Sequence, residues 1–360
     1  MKKIIHFHPD GRYANKFVSP LQKYEKKLGY SSILVTGKPR QQNHYKINLG
    51  LTKNPLIFFL NLIHLIYFIR KNKPHLIVAH NSISSTIPLI MSRLLSIKKI
   101  VYFNHGVPSI GYSGIIKYVL IVIEKLNCLF ATEILTISYD MKAILQKITT
   151  KPIKIIFNGS AAGIVIKEKK YKKSIKENFE KHINYKVGDI IVLYVGRPNK
   201  RKGFFDLVEI WDSYFAHKPN FKLILLGIDK SKLELFFKKT YNNIFPMSFI
   251  DDPELYFQYA DYLFLTSHHE GLSYTVLEAF KSDTIVLSNK IMGVSELVKN
   301  GVNGFLIQKN DFSNYYKLII KCEKNKRLKK MLIKAGNETI LKYDREFFLE
   351  KYENFIKKLF

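Results

Sequence analysis

Short apolar runs alternate with helix-length segments along the whole chain of 360 residues. Runs that are apolar at nearly every position are typical of parallel strands covered by helices on both faces. The pattern therefore predicts an α/β protein with parallel sheets. The predicted strands are residues 2–7, 31–36, 75–79, 99–104, 133–137 and 153–157 in the first half, and 190–195, 222–227, 247–250, 262–266, 284–288 and 304–307 in the second.

A Lys-rich stretch with few apolar residues, 167–186, interrupts this alternation. Such a stretch is the most favourable domain boundary in the chain, because it offers little to a core. We expect an N-terminal domain over residues 1–165 and a second domain over 166–340. Residues 310–334 and 345–359 have the pattern of helices. We expect the second of these to form a final helical segment, residues 341–360, after the second domain.

The composition excludes some classes of protein. With 47% apolar residues, the chain has enough apolar surface for two cores, and extensive disorder is excluded. Cys128 and Cys322 show no CxxC spacing, and we interpret them as buried free thiols of a reducing compartment. The first eight residues contain an apolar core of only four, so we expect a first strand and not a signal peptide.

The formal net charge is +29. Solvated lysine-rich faces would explain it without a partner, whereas nucleic acid, anionic lipid or a phosphorylated substrate would explain it by function. The basic residues are spread along the chain and form no zinc-finger or RNP-like signature. We therefore favour an anionic membrane surface over nucleic acid.

One segment bears on the membrane hypothesis. Residues 56–69 are apolar on almost every side, and Lys53, Arg70, Lys71 and Lys73 flank them. The segment is too short to span a bilayer. Two interpretations remain open: a buried helix of the first domain, or a helix with one core face and one interfacial face. Residues 115–130 have a similar character and include three charged residues.

Candidate chemistry lies between residues 196 and 279. A strand that runs into a glycine-led turn and then a helix presents free amides and the positive end of the helix dipole to an anion. Arg197 and Lys202 would flank that anion. Glu270 precedes a predicted helix, and Glu278 lies inside it on nearly the same side. Both turns follow strands, at the sheet edge where ligands bind in open α/β folds.

Several short motifs in the second half occur in an order that resembles family 4 retaining glycosyltransferases of GT-B fold. That fold consists of two Rossmann-like domains facing each other across a cleft, with a C-terminal helix that crosses back to the first domain. The match is close in the second half and loose in the first. The motifs are Gly196-Arg197-x4-Lys202-Gly203, Tyr259-Ala260-Asp261, Thr266-Ser267, Glu270-Gly271, Glu278-Ala279, Gly293-x-x-Glu296-Leu297-Val298 and Asn303-Gly304-Phe305-Leu306.

The resemblance implies a role for each matching residue. Arg197 and Lys202 would neutralise the donor diphosphate, and the amides of Leu272 and Ser273 would add to its cradle. Glu278 would bind the ribose hydroxyls, whereas Glu270 and His105 would lie beside the transferred sugar. Gly11 follows the first strand, where the family has a glycine-rich loop near the diphosphate, although this sequence has one glycine there instead of the usual pair.

These roles imply a retaining glycosyltransferase that moves a sugar from a nucleoside diphosphate, with UDP favoured, to a lipid-linked or surface glycan acceptor. Polysaccharide, lipopolysaccharide or capsule synthesis on the inner face of the cytoplasmic membrane would be its setting. No HExxH, CxxC or Asp-x-Asp motif accompanies His268 and His269, so we expect no metal and no cofactor besides the donor. The alternative is a non-catalytic basic protein that binds an anionic polymer or membrane.

Overall fold

The computed structural model describes residues 1–42, 44–48, 54–167, 173–237 and 241–360. Lys53, one of the predicted basic flanks, lies outside the described residues. The chain divides into two compact units. The first comprises Met1–Gly163 together with Tyr343–Phe360, and the second comprises Ile164–Lys342.

A parallel sheet forms the centre of each unit, as the apolar runs predict. In the first unit the strand order is β3-β2-β1-β4-β5-β6-β7, and in the second it is β10-β9-β8-β11-β12-β13. The strands are β1 Lys3–Phe7, β2 Ser31–Thr36, β3 His44–Lys46, β4 Leu76–His80, β5 Ile100–Asn104, β6 Glu133–Thr136, β7 Ile153–Ile155, β8 Ile190–Val195, β9 Phe221–Leu226, β10 Ile244–Met247, β11 Tyr262–Leu265, β12 Ile285–Asn289 and β13 Gly304–Ile307.

Helices connect most of the successive strands, which is the usual connection in a parallel sheet. In the described residues they are α1 Gly11–Phe17, α2 Ser19–Lys27, α3 Pro55–Asn72, α4 Thr86–Leu94, α5 Gly114–Phe130, α6 Tyr139–Leu145, α7 Lys173–His182, α8 Phe204–Tyr214, α9 Glu254–Tyr259, α10 Tyr274–Lys281, α11 Ser313–Lys324, α12 Lys326–Ile340 and α13 Arg345–Leu359.

The strand order reverses once in each sheet. In the first unit the reversal lies between β1 and β4, and in the second it lies between β8 and β11. The connections that leave two such neighbouring strands run to opposite sides, which opens a crevice at their carboxyl ends. The residues that follow β8 and β11 are the two turns that carry the candidate chemistry.

The last helix belongs to the first unit. Asp344 caps α13 by accepting hydrogen bonds from the amides of Glu346 and Phe347. Two phenol contacts then join α13 to α2. The Tyr24 hydroxyl donates to Glu353 Oε2 over 2.7 Å, and the Tyr352 hydroxyl donates to Glu25 Oε1 over 2.6 Å. The C-terminal helix therefore packs on the first unit, as the resemblance implied.

Three elements differ from the sequence-based prediction. Strand β10 begins at Ile244 and not at residue 247, because Pro246 is tolerated in an edge strand. Strand β3 was missed, since three residues at the other sheet's edge leave almost no pattern. The single helix predicted over 310–334 is two helices, because Asn325 leaves the helical conformation and its side chain accepts from the Leu328 amide.

Helix α3 is core on one face only. Asn54 caps its N-terminus, and Leu65, Phe68 and Ile69 are its buried residues. The opposite face remains apolar and exposed, so α3 is not a fully buried helix, and an interfacial role for this face stays a prediction. Helix α5 has a similar exposed face. The exposed apolar side chains are Leu56, Ile57, Phe59, Leu60, Ile63 and Tyr67 on α3, and Ile115, Ile116, Tyr118, Val119, Val122 and Leu129 on α5.

Both cysteines are buried free thiols, as the sequence predicted. No helix in the described part of the chain is both long enough and apolar enough to cross a bilayer.

Candidate active site

The turn after β8 is fixed by its own short-range hydrogen bonds. Asn199 Oδ1 accepts from the Lys202 amide over 3.0 Å, which closes a short 3₁₀ turn over Lys200–Lys202. The Tyr194 hydroxyl donates to the Lys202 carbonyl over 3.1 Å. Gly203 then takes a left-handed conformation with φ of 61° and leads into α8.

Gly203 lies directly against the end of β11. A Cβ atom at this position would be 1.8 Å from the Thr266 carbonyl oxygen, so only glycine fits without displacing the backbone. The Thr266 hydroxyl donates in turn to the Gly203 carbonyl over 2.7 Å, and the His268 amide donates to the Arg201 carbonyl over 2.9 Å. These contacts hold the two turns together, although they are more than 60 residues apart in the chain.

The contact between the turns after β8 and β11 brings Lys202 and Glu270 into an ion pair. Lys202 Nζ lies 2.7 Å from Glu270 Oε1, and the Ser267 hydroxyl donates to the same oxygen over 2.7 Å. Arg201 Nη1 lies 3.9 Å from Glu270 Oε2. Only 10% of the Glu270 side chain is exposed. The carboxylate is thus shielded from water and surrounded by donors.

The surroundings of Glu270 favour its ionised form. Burial opposes ionisation, but Lys202, Ser267 and Arg201 together outweigh it and hold the pKa of Glu270 below its usual value. Because the folded-state pKa is lowered, the pair stabilises the fold at neutral pH. That contribution is lost as the pH falls through the folded-state pKa.

The loop between Glu270 and α10 has a second close contact. Gly293, at φ of 74°, follows β12, and a Cβ atom there would be 2.4 Å from the Glu270 carbonyl oxygen. The Gly293 carbonyl accepts from the Ser273 amide over 3.1 Å. The Ser273 amide, predicted to face phosphate, is therefore engaged by the protein itself. The Leu272 amide donates to no backbone carbonyl in the described part of the chain.

The hydroxyl of Ser273 is a second hydrogen-bonding group at this position. This hydroxyl is buried and has no hydrogen-bond partner among the described residues. Ser273 stands at the N-terminus of α10, where the amides and the helix dipole favour an anion. A buried hydroxyl that lacks a partner costs free energy unless a ligand or water satisfies it.

The other two predicted donor contacts lie on the same two elements. Arg197 is exposed in the turn after β8. Glu278 is half-buried on α10, eight residues after Glu270. The structure therefore pairs Lys202 with Glu270 where the strand order reverses, whereas Arg197 lies in the turn after β8 and Glu278 lies on the helix that follows Glu270.

His105 lies in the first unit, directly after β5. The Asn104 side chain fixes the turn that contains His105. Its Oδ1 accepts from the Gly106 amide over 2.9 Å, and its Nδ2 donates to the Gly106 carbonyl over 3.0 Å. His105 Nε2 is 3.0 Å from His80 Nδ1. Burial and the neighbouring His8 lower the pKa of His105 to about 3, so the ring is neutral at physiological pH.

Gly11 is buried at the start of α1, and its amide donates to the Lys38 carbonyl over 3.0 Å. Asp10 caps this helix through the Arg12 amide. The predicted approach of Gly11 to a diphosphate thus involves a residue whose amide is already engaged.

Sequence reasoning missed several residues of these sites. Arg201 and Ser267 both contact or approach Glu270, and both lie within motifs that the sequence showed. The neighbours of His105 left no local signal, because His80 comes from a different strand. His268, which the sequence placed beside Glu270, lies 3.1 Å from Asp206 Oδ2. Among the described residues no group of three His, Cys, Asp or Glu side chains is positioned to hold a metal.

Two family descriptions match the chain. Glycosyltransferase Family 4 matches residues 17–160, and Glycosyl transferases group 1 matches residues 175–339. The two matched ranges together take in most of both units.

Individual proteins are similar over long stretches. CapM of Staphylococcus aureus, a capsular polysaccharide biosynthesis glycosyltransferase, is 23% identical over 82% of this chain and 79% of its own length. Alpha-monoglucosyldiacylglycerol synthase of Acholeplasma laidlawii is 26% identical over 58% of this chain and 55% of its own. The crystal structure of HepE from Anabaena with UDP-glucose aligns with a TM-score of 0.81 at 18% identity, covering 99% of this chain and 100% of that one.

The contact between Gly203 and Thr266 yields a prediction about stability. Changing Gly203 to Ala should lower the free energy of unfolding. Ala costs about 1 to 2 kcal/mol in the left-handed conformation, and its clash with the Thr266 carbonyl costs about 1 to 3 kcal/mol more. Gly188→Ala is the matched control, because Gly188 has φ of 93° and open space around its Cα. Trp211 is the only tryptophan and is buried in the second unit, so its fluorescence during urea unfolding reports on this unit. Equal destabilisation by the two variants would show that the clash is absent.

Proposed function

The chain belongs to the family 4 glycosyltransferases of GT-B fold, and we propose that it transfers a sugar from a UDP-sugar to a lipid-linked or surface glycan acceptor. Retention at the anomeric carbon, independence of metal and a place on the inner face of the cytoplasmic membrane are parts of the same proposal. The observation that carries it is the Lys202–Glu270 pair, which stands with Arg197 at the crevice between β8 and β11.

The donor set of the second unit suits a nucleoside diphosphate. Arg197 and Lys202 supply positive charge, and the Ser273 hydroxyl and Leu272 amide supply donors at the N-terminus of α10. Charge accumulates on the leaving diphosphate in the transition state, so fixed cations stabilise the transition state more than the ground state. Positioning and neutralisation then account for most of the rate, and the cations do the work that a metal does elsewhere.

The two carboxylates suit hydroxyl groups. Glu270 is held ionised, so it accepts hydrogen bonds from the transferred sugar, while Glu278 accepts from the two ribose hydroxyls. Neither residue acts as a glycosidase nucleophile in this scheme. The leaving phosphate itself takes the proton of the acceptor hydroxyl on the same face, which gives retention without an enzymic intermediate.

The similar proteins support the choice of substrates. HepE was crystallised with UDP-glucose, which favours UDP as the donor nucleotide. The names of CapM and of the Acholeplasma synthase point to capsular polysaccharide and to diacylglycerol respectively. Both favour an acceptor at a membrane or cell surface.

A donor screen tests the enzyme as a whole. We expect turnover with one or more of a panel of UDP, GDP and ADP sugars, in the presence and absence of a chelator. If no sugar nucleotide supports transfer or hydrolysis and none raises the melting temperature, the chain is a non-catalytic basic binding protein instead.

The diphosphate contact is tested by Arg197→Ala. Loss of a charge-assisted contact of about 1.5 to 3 kcal/mol lowers kcat/KM by about 10- to 100-fold. Lys200→Ala is the matched control, because Lys200 is an exposed cation of the same turn. Lys202→Ala should lower kcat/KM similarly, and the double variant Arg197→Ala/Lys202→Ala more. Wild-type turnover in the double variant would rule the assignment out.

The division of labour between the carboxylates is tested by calorimetry with UDP. Glu278→Gln should weaken UDP binding itself, because the ribose loses a charged acceptor. Glu270→Gln should leave UDP affinity unchanged and impair turnover of the intact sugar donor. Equal losses of UDP affinity in the two variants would mean that these roles are wrongly divided.

Membrane docking has structural support in the first unit. The exposed apolar face of α3 ends at Arg70, Lys71 and Lys73, which are exposed. The exposed apolar face can enter the interface of a bilayer, while the basic residues at the end of the helix attract anionic lipid. Each such cation contributes about 1 kcal/mol near the surface and is screened within about 8 Å at physiological salt. The contact is therefore reversible.

Vesicle cosedimentation tests this docking. Binding should fall steeply from low to high salt and should be weak with neutral lipid. Changing Arg70, Lys71 and Lys73 to Glu should release the protein and leave transfer to a soluble acceptor intact. The same change at Lys324, Lys326 and Lys330 alters the net charge equally and uses exposed lysines of the second unit. Equal binding to neutral and anionic vesicles, or full sedimentation of the first triple variant, would contradict docking through α3.

A further inference from the structure

A continuous row of hydrogen bonds runs through the first unit from His105 to Glu25. His105 Nε2 lies 3.0 Å from His80 Nδ1, and His80 Nε2 lies 3.0 Å from His6 Nδ1. His6 Nε2 lies 3.0 Å from both carboxylate oxygens of Glu25. His6, His80 and Glu25 are fully buried.

The strand order explains how this row forms. His6 is in β1 and His80 ends β4, which are the neighbours at which the first sheet reverses its order. His105 follows β5, the next strand along, and Glu25 comes from α2. Imidazole rings from three neighbouring strands therefore lie side by side at the crevice edge. The His6 and His80 rings are stacked with centroids 5.3 Å apart.

A row of neutral imidazoles has only two possible proton orders. Each neutral ring has one N–H donor and one acceptor nitrogen, so fixing the proton at one end fixes it at every ring. At the buried end, Glu25 Oε1 also accepts from the Tyr352 hydroxyl over 2.6 Å. Both carboxylate oxygens of Glu25 face His6 Nε2, and one of them already accepts from Tyr352, so we assign Glu25 as the acceptor and His6 Nε2–H as the donor.

The order of the remaining protons follows. His6 Nδ1 accepts from His80 Nε2–H, and His80 Nδ1 accepts from His105 Nε2–H. His105 is then left with an unprotonated Nδ1. Burial holds the pKa of His80 well below its usual value, with the neighbouring histidines adding to the effect, which favours the neutral form.

We propose that Glu25, His6 and His80 are positioning residues that fix His105 as the Nε2–H tautomer and keep Nδ1 as a hydrogen-bond acceptor. The closest physical analogy is a buried carboxylate that orients a catalytic imidazole, here acting through two further rings. In the proposed function His105 lies beside the transferred sugar, and an acceptor nitrogen suits a sugar hydroxyl. That consequence for transfer rests on the proposed function, whereas the tautomer of His105 does not.

His8 stands beside this row and is not part of it. The Asn81 side-chain nitrogen lies 3.0 Å from His8 Nε2, and His8 Nδ1 lies 2.8 Å from the Asp10 carbonyl oxygen and 3.2 Å from the Asp10 amide nitrogen. Both ring nitrogens of His8 are therefore engaged by other partners. The row from His105 to Glu25 remains a single path.

The tautomer is measured directly by NMR of the full chain with ¹⁵N-labelled histidine at neutral pH, with His105 assigned from the signals lost in His105→Asn. We expect His105 to show a protonated Nε2 and an unprotonated Nδ1 in the wild type. A protonated Nδ1 would overturn the proposal without any variant.

Variants at the buried end test the cause. Glu25→Met removes the acceptor and keeps the apolar volume, so both proton orders become populated and the single His105 tautomer is lost. Glu25→Asp keeps a carboxylate acceptor and should retain the wild-type tautomer. Tyr24→Phe is the matched control, because it removes a phenol contact between the same two helices, to Glu353. A folded Glu25→Met protein with an unchanged His105 tautomer would contradict the proposal.

Kinetics separate this proposal from the proposed function. With an active donor, Glu25→Met should lower kcat with little change in the KM for the donor, whereas Glu25→Asp should keep kcat close to that of the wild type. If the tautomers behave as expected and no donor is turned over, the row stands and the proposed function fails.

Discussion

The contact between Gly203 and the Thr266 carbonyl is the constraint on which the second unit's site depends. It leaves no room for a side chain, so the turn after β8 packs directly against the end of β11. Because Lys202 precedes Gly203 and Glu270 follows Thr266 by four residues, this arrangement places their charged groups 2.7 Å apart. Ser267 and Arg201 then complete the environment of the carboxylate, and Gly293 fixes the loop from behind.

The two units use one architectural device for different chemistry. In each, the strand order reverses once, and the residues after the two central strands meet at the open edge. In the second unit these residues are cations and carboxylates, which suit phosphate and hydroxyl groups. In the first unit the corresponding groups are imidazoles: His6 within β1, His80 at the end of β4 and His105 directly after β5, with the buried carboxylate of Glu25 behind His6. The second unit therefore has charged side chains at this edge, and the first unit has a row of hydrogen-bonded imidazoles.

Much of the fold was predictable because its strands are buried on both faces and read as continuous apolar runs. The prediction failed where that signal weakens. Edge strand β3 has only three residues, and edge strand β10 contains a proline, so neither shows a continuous apolar run. At Asn325 one side-chain cap divides an amphipathic pattern into two helices. The candidate residues were locatable because glycine, cation and carboxylate follow strands. Their pairing was not, because Lys202 and Glu270 are 68 residues apart and meet only through strand order. The same holds for His6 and His80, which are 74 residues apart.

The electrostatics of the second unit favour orientation over tight binding. Four cations lie between residues 197 and 202, and a carboxylate paired to one of them removes part of their attraction for an anion. That loss has a compensation. A lysine alone is a flexible point charge, whereas Lys202 held by Glu270 has a defined position before any ligand arrives, so less conformational entropy is lost on binding. The ion pair also keeps Glu270 ionised, and thus able to accept hydrogen bonds only. One contact therefore sets the position of a cation and the protonation of a carboxylate, and both follow from the close approach of two turns that glycine alone permits.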